Sequence, residues 1–125
     1  MKTKRPVYLN LFQIKLPVSG MVSLLHRLSG ALLFLSLPFV LWLFQTSLES
    51  ASSFNNLINT VKYNPILKLV IAIGVWAYLH HFLAGIRFLL MDVHLGLELR
   101  QSRLSAKIVM LTSITLTILI LGWLW

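Results

Sequence analysis

Five ionisable residues lie inside apolar runs long enough to cross a membrane. His26 and Arg27 stand near the start of one run, and His80, His81 and Arg87 lie within a second. A charged side chain at membrane depth costs roughly 2.5–3.5 kcal/mol even on the mildest scale, so such residues face a cavity, a partner or a bound group. Only 11% of the chain is charged, so this placement points to function. In the first run Ser23, Arg27 and Gly30 follow i, i+4, i+7 spacing and share a helix face, with His26 one position round. A hydroxyl and a guanidinium together can hold a carbonyl or carboxylate. In the second run His81, Ala84, Gly85 and Phe88 line one face, and His80 is rotated by about 100° from it. Small residues beside a histidine let a flat ligand approach the backbone.

Blander readings stand beside these. Arg27 can snorkel to the headgroups with His26 as an interfacial passenger. Small residues in a membrane helix also serve helix packing, and a buried histidine can bond between helices. Asp92 and Glu98 lie at or beyond the membrane edge, which leaves no carboxylate for a metal-hydrolase site. His94 lies beyond the second run.

These side chains need elements to position them. The chain has 125 residues, 58% of them hydrophobic, and a mean hydropathy of +0.84, which indicates an all-α membrane protein and excludes an ordinary soluble domain. The apolar runs Met21 to Phe44, Pro65 to Met91 and Ile108 to Trp125 predict three transmembrane helices over about 21–47, 65–92 and 106–125. Residues 1–20 form an N-terminal segment, with an extended stretch suggested by the alternation of Tyr8, Asn10, Phe12 and Ile14. Pro38 is expected to kink the first span. The polar stretch Ser50 to Asn64 is a loop with room for a short surface helix. The net charge is +8, but the basic residues cluster by membrane side rather than as a nucleic-acid patch. Lys2, Lys4, Arg5 and Lys15 precede the first span, and Arg100, Arg103 and Lys107 lie around the start of the third. Positive-inside logic puts the N-terminus in the cytoplasm and the C-terminus on the outer side. Trp42, Trp123 and Trp125 then form the outer aromatic belt. Without cysteine the chain holds no disulfide, no Cys-ligated metal and no iron–sulfur cluster.

Counted along the two helices, His26 falls about 6 Å and His81 about 16 Å inside the cytoplasmic edge. That offset is too large for two ligands on opposite faces of one iron. It suits a haem held by His81, with His26 and Arg27 meeting the propionates and a second axial histidine coming from another subunit.

Two blocks carry a family resemblance. The first is Arg5-Pro6-Val7, Leu11, then Ser23-Leu24-Leu25-His26-Arg27-Leu28-Ser29-Gly30. The second runs from His81-Phe82-Leu83-Ala84-Gly85-Ile86-Arg87-Phe88 to Asp92. The combination S-x-x-H-R-x-S/T-G plus H-x-x-x-G-I-R-x-x-x-x-D resembles the cytochrome b membrane-anchor subunit of bacterial succinate dehydrogenase, over Arg5 to Lys107. The resemblance implies a multi-pass inner-membrane subunit that binds haem b jointly with a second small anchor subunit supplying the other axial histidine. It further implies partners in an iron–sulfur subunit, a flavoprotein and membrane lipids, and ubiquinone as substrate. By position His81 is then the axial ligand, Ser23 and Arg27 line the quinone site, and His26 and Arg27 approach the propionates. Arg87 and Asp92 have structural or near-site roles. Three features depart from the pattern: the second histidine at His80, Phe88 where relatives often carry histidine, and His94 where small residues are usual. A fumarate reductase anchor working in the quinol-oxidising direction and a haem-free structural membrane protein are the alternatives.

Overall fold

The computed structural model describes residues 15–125, so the expected extended stretch around Tyr8 to Ile14 lies outside the described residues. Four helices follow in order: α1 (Val18–Glu49), α2 (Ala51–Tyr63), α3 (Pro65–Asp92) and α4 (Leu99–Leu124). Three of them, α1, α3 and α4, are long and apolar enough to span a membrane. At about 1.5 Å per residue they run about 48, 42 and 39 Å, enough to cross a hydrocarbon core of about 30 Å. The boundaries follow local chemistry. Pro17 stands immediately before α1, where a missing N–H matters little. α1 continues through Pro38 to Glu49 as one helix.

The Ser50 to Asn64 stretch is largely helix rather than loop. Ser50 caps α2, its hydroxyl accepting from the Ser53 amide at 3.0 Å. Asn64 ends α2 and starts α3: its Oδ1 accepts from the amides of Ile66 at 3.0 Å and Leu67 at 3.2 Å. Pro65 follows at the first helical position, the usual place for a proline that opens a helix.

α3 ends in a Schellman motif. The Leu95 amide donates to the Leu90 carbonyl at 2.9 Å and the His94 amide to the Met91 carbonyl at 3.0 Å. His94 takes the left-handed conformation, φ 65°, that this motif requires and that glycine ordinarily fills.

The interior is built from small and polar side chains. Val22, Ala77, Ala84, Ala106 and Val109 are buried together with Ser29, His80, Arg87, Ser113 and Thr117. The bulky apolar residues point outward, with Phe34 76% and Leu35 74% exposed. That is the arrangement expected where the solvent is hydrocarbon and close helix approach, rather than burial of large apolar groups, holds the bundle together. Ala77, His80, Ala84 and Arg87 form the buried stripe of α3. The face predicted from spacing is therefore divided: Ala84 turns into the core with His80 and Arg87, whereas His81, Gly85 and Phe88 turn towards α1.

Candidate functional site: a crossed pair of histidines and glycines

His26 on α1 and His81 on α3 meet face to face. Their ring centroids are 4.2 Å apart and the planes differ by 4°. Each ring also lies over the other helix's glycine. A Cβ added at Gly30 would fall 2.8 Å from Cε1 of His81, and one added at Gly85 would fall 3.6 Å from Nε2 of His26. Phe88 closes the cluster, tilted against His26 with centroids 5.1 Å apart.

This geometry corrects the depth offset expected from the sequence. α1 begins at Val18 and α3 ends at Asp92, so His26 and Gly85 lie about 12 and 10 Å from their helix ends, and Gly30 and His81 about 18 and 16 Å. The histidines are thus staggered by about one turn, and each reaches the level of the opposite glycine until the rings overlap. The rings still cannot grip one iron between them. In a parallel stack the nitrogen lone pairs lie side by side in the ring planes instead of facing each other.

Nδ1 of His81 lies 3.0 Å from the backbone carbonyl of His26 and 3.3 Å from Oγ of Ser29. A carbonyl only accepts, so Nδ1 carries the proton. The Ser29 hydroxyl donates its own hydrogen to the same carbonyl at 3.0 Å, leaving its oxygen to accept from Nδ1. This tautomer leaves an unprotonated Nε2 lone pair, the arrangement that metal-binding histidines adopt. Stacking occupies only a ring face and does not block a bond in the ring plane. His81 is also half-buried rather than enclosed in the core. The donor set fits an axially ligated haem.

His80 does not fit that role. It is 0% exposed, enclosed in the chain's own core and stacked on Trp76 with centroids 5.3 Å apart. Its Nδ1 is 3.5 Å from Oγ of Ser113, and its Nε2 is buried without a hydrogen-bond partner. No planar macrocycle has access to it.

Arg87 is 5% exposed and ties α3 to α4. Nε donates to Oγ of Ser105 at 3.0 Å, and Nη2 donates to the carbonyl and hydroxyl of Ser102 at 3.2 and 3.0 Å. Its guanidinium also lies 5.2 Å from the centre of the Phe88 ring. Ser23 is half-buried and Arg27 is exposed, and neither side chain bonds to another group among the described residues. Asp92 is exposed at the last turn of α3.

Ser29, Ser102, Ser105 and Ser113 are the site residues that spacing arguments passed over. A signal for the last three was present. Ser102, Ser105, Ser113 and Thr117 recur at helical spacing along α4, and a polar stripe inside an apolar span marks a packed face.

Three helices long and apolar enough to cross a membrane, in a chain of 125 residues, define a class of small multi-pass membrane subunits. Residues 1–120 match the family described as succinate dehydrogenase/fumarate reductase transmembrane subunit, and the chain belongs to that family. It is 36% identical to the succinate dehydrogenase cytochrome b556 subunit of Coxiella burnetii (strain RSA 493 / Nine Mile phase I), over 125 residues and the whole of both chains. The subunit of the same name from Rickettsia bellii (strain RML369-C) is 30% identical over 94% of this chain and 90% of its own length. That of Paracoccus denitrificans is 26% identical over 94% and 89%.

Proposed function

We propose that this chain is the haem b-binding membrane anchor of a succinate:ubiquinone oxidoreductase in the bacterial inner membrane. The observation that carries the reading is the locked tautomer of His81: a protonated Nδ1 held by the His26 carbonyl and Ser29, with Nε2 left as a ligand. The names of the similar proteins favour the succinate-oxidising direction over fumarate reduction.

On this reading the N-terminus is cytoplasmic, and α1 presents Ser23 and Arg27 near the cytoplasmic boundary. A quinone is mostly apolar and enters from the bilayer, so a few donors suffice to orient its head group. The Ser23 hydroxyl and the Arg27 guanidinium supply them. Arg27 remains protonated, so it steadies negative charge on oxygen and does not serve as the proton source. Haem b, when bound, supplies a one-electron store at the boundary. His81 would hold its iron, and His26 and Arg27 would meet its propionates. A second small anchor subunit would provide the other histidine. The iron–sulfur and flavoprotein subunits dock on the cytoplasmic side, against the segment Lys2 to Lys15 and the region of Arg100 and Arg103. Succinate chemistry belongs to those partners.

Spectra of the purified complex test the haem assignment. His81→Leu should abolish or alter the low-spin b-type spectrum and His80→Leu should largely keep it; the reverse pattern, or a complex without haem, would overturn it. The quinone site is tested by turnover with two acceptors. Ser23→Ala should lower ubiquinone reduction while sparing succinate oxidation with a soluble artificial acceptor, and Arg27→Leu should lower it further. Equal loss with both acceptors would mean failed assembly and remove the quinone assignment.

A further inference from the structure

At the end of the bundle where α1 and α4 finish, a groove of about 630 Å³ opens between the end of α2, the first turn of α3 and the end of α4. Among the described residues only two basic side chains, Lys62 and Lys68, lie at that end, and both line this one groove. The other basic side chains among the described residues, such as Arg100, Arg103 and Lys107, sit just before or within α1, late in α3 or in the first turns of α4.

Each lysine is held by an aromatic ring. Nζ of Lys62 lies 5.6 Å from the centre of Tyr63, and Nζ of Lys68 lies 5.3 Å from that of Trp125. No Asp or Glu side chain lines the groove. Two ammonium groups therefore share one recess that no acidic side chain neutralises. Their place at the ends of membrane-length helices, beside exposed tyrosine and tryptophan, is the level of lipid headgroups. The remaining wall, from Ile58, Val61 and Leu124, is apolar.

The geometry points to a binding site for the phosphodiester headgroup of an anionic phospholipid. The two ammonium groups pair with the phosphate, and the apolar wall receives the first part of an acyl chain. The occupant is a lipid because the groove joins cationic groups to an apolar wall at the membrane boundary, which suits an amphiphile and not a free anion. The site is independent of the histidine pair at the other level of the bundle.

Lipid retention by the whole purified complex tests it. The complex, in neutral detergent, is equilibrated with equal amounts of phosphatidylglycerol and phosphatidylcholine and stripped of excess lipid, and the lipid that remains is quantified by mass spectrometry. The wild-type complex should retain phosphatidylglycerol in preference. Lys62→Gln or Lys68→Gln should each weaken that preference by about fivefold, and raised salt should weaken it in the wild type. An unchanged haem spectrum shows that each variant is assembled; if one fails to assemble, the other carries the test. Absence of preference in the wild type would overturn the proposal, as would its persistence in an assembled variant. Displacement by inorganic phosphate at matched ionic strength would also overturn it, in favour of a free-anion site. Protection of both lysines from acetylation in lipid-free complex would overturn it in favour of a covering protein.

Discussion

Gly30 shows how little room the histidine pair leaves. A methyl group there would fall 2.8 Å from a ring carbon of His81, and an imidazole locked by two polar contacts and a stacked neighbour cannot swing aside as a flexible side-chain tip would. Overpacking of this kind costs roughly 1–3 kcal/mol. Gly30→Ala should therefore broaden or reduce the haem signal of the complex, while an alanine at Gly85, where the nearest atom is 3.6 Å away, should be tolerated. Equal behaviour of the two variants in the absorption spectrum would contradict the crossed arrangement. Motif spacing picked out Gly30 and Gly85, but not what each of them faces. Ser29 stands in the first motif, but its partner was not legible for a related reason. A serine one turn from a histidine on the same helix has no assigned role until the backbone shows its hydroxyl sharing a carbonyl with the ring of another helix.

At the scale of elements, hydropathy was enough to read three long apolar helices in the right order, because apolar length in a membrane is a strong constraint. The relative height of α1 and α3 was not readable. It depends on where each helix starts and on how far a side chain reaches across the interface, and an error of one turn moves a residue by about 5 Å. The α3–α4 connection holds a stability prediction of its own. His94 sits at φ 65°, a conformation that costs an L-residue roughly 1–2 kcal/mol relative to glycine. Its side chain is exposed. His94→Gly should raise the thermal midpoint of the complex without moving the haem spectrum; a lowered midpoint would show that the imidazole makes a contact outside this chain.

At the scale of the whole molecule, one chain presents His81 on its flank and has no second histidine placed opposite it. Produced alone, it should be poorly stable and free of haem, and co-production with the other anchor subunit should restore both. A stable six-coordinate cytochrome from this chain by itself would contradict the shared-haem reading. The interior of alanine, serine, threonine and histidine has a thermodynamic corollary. In a soluble protein, unfolding exposes apolar surface to water, and the heat capacity rises steeply as a result. Here the bulky apolar side chains already face outward, so separating the helices within a micelle bares little that water must newly solvate. Calorimetry of the helix-separation step should show a small heat-capacity increment. The bundle's stability should then vary almost linearly with temperature, without the fall on cooling that limits water-soluble folds.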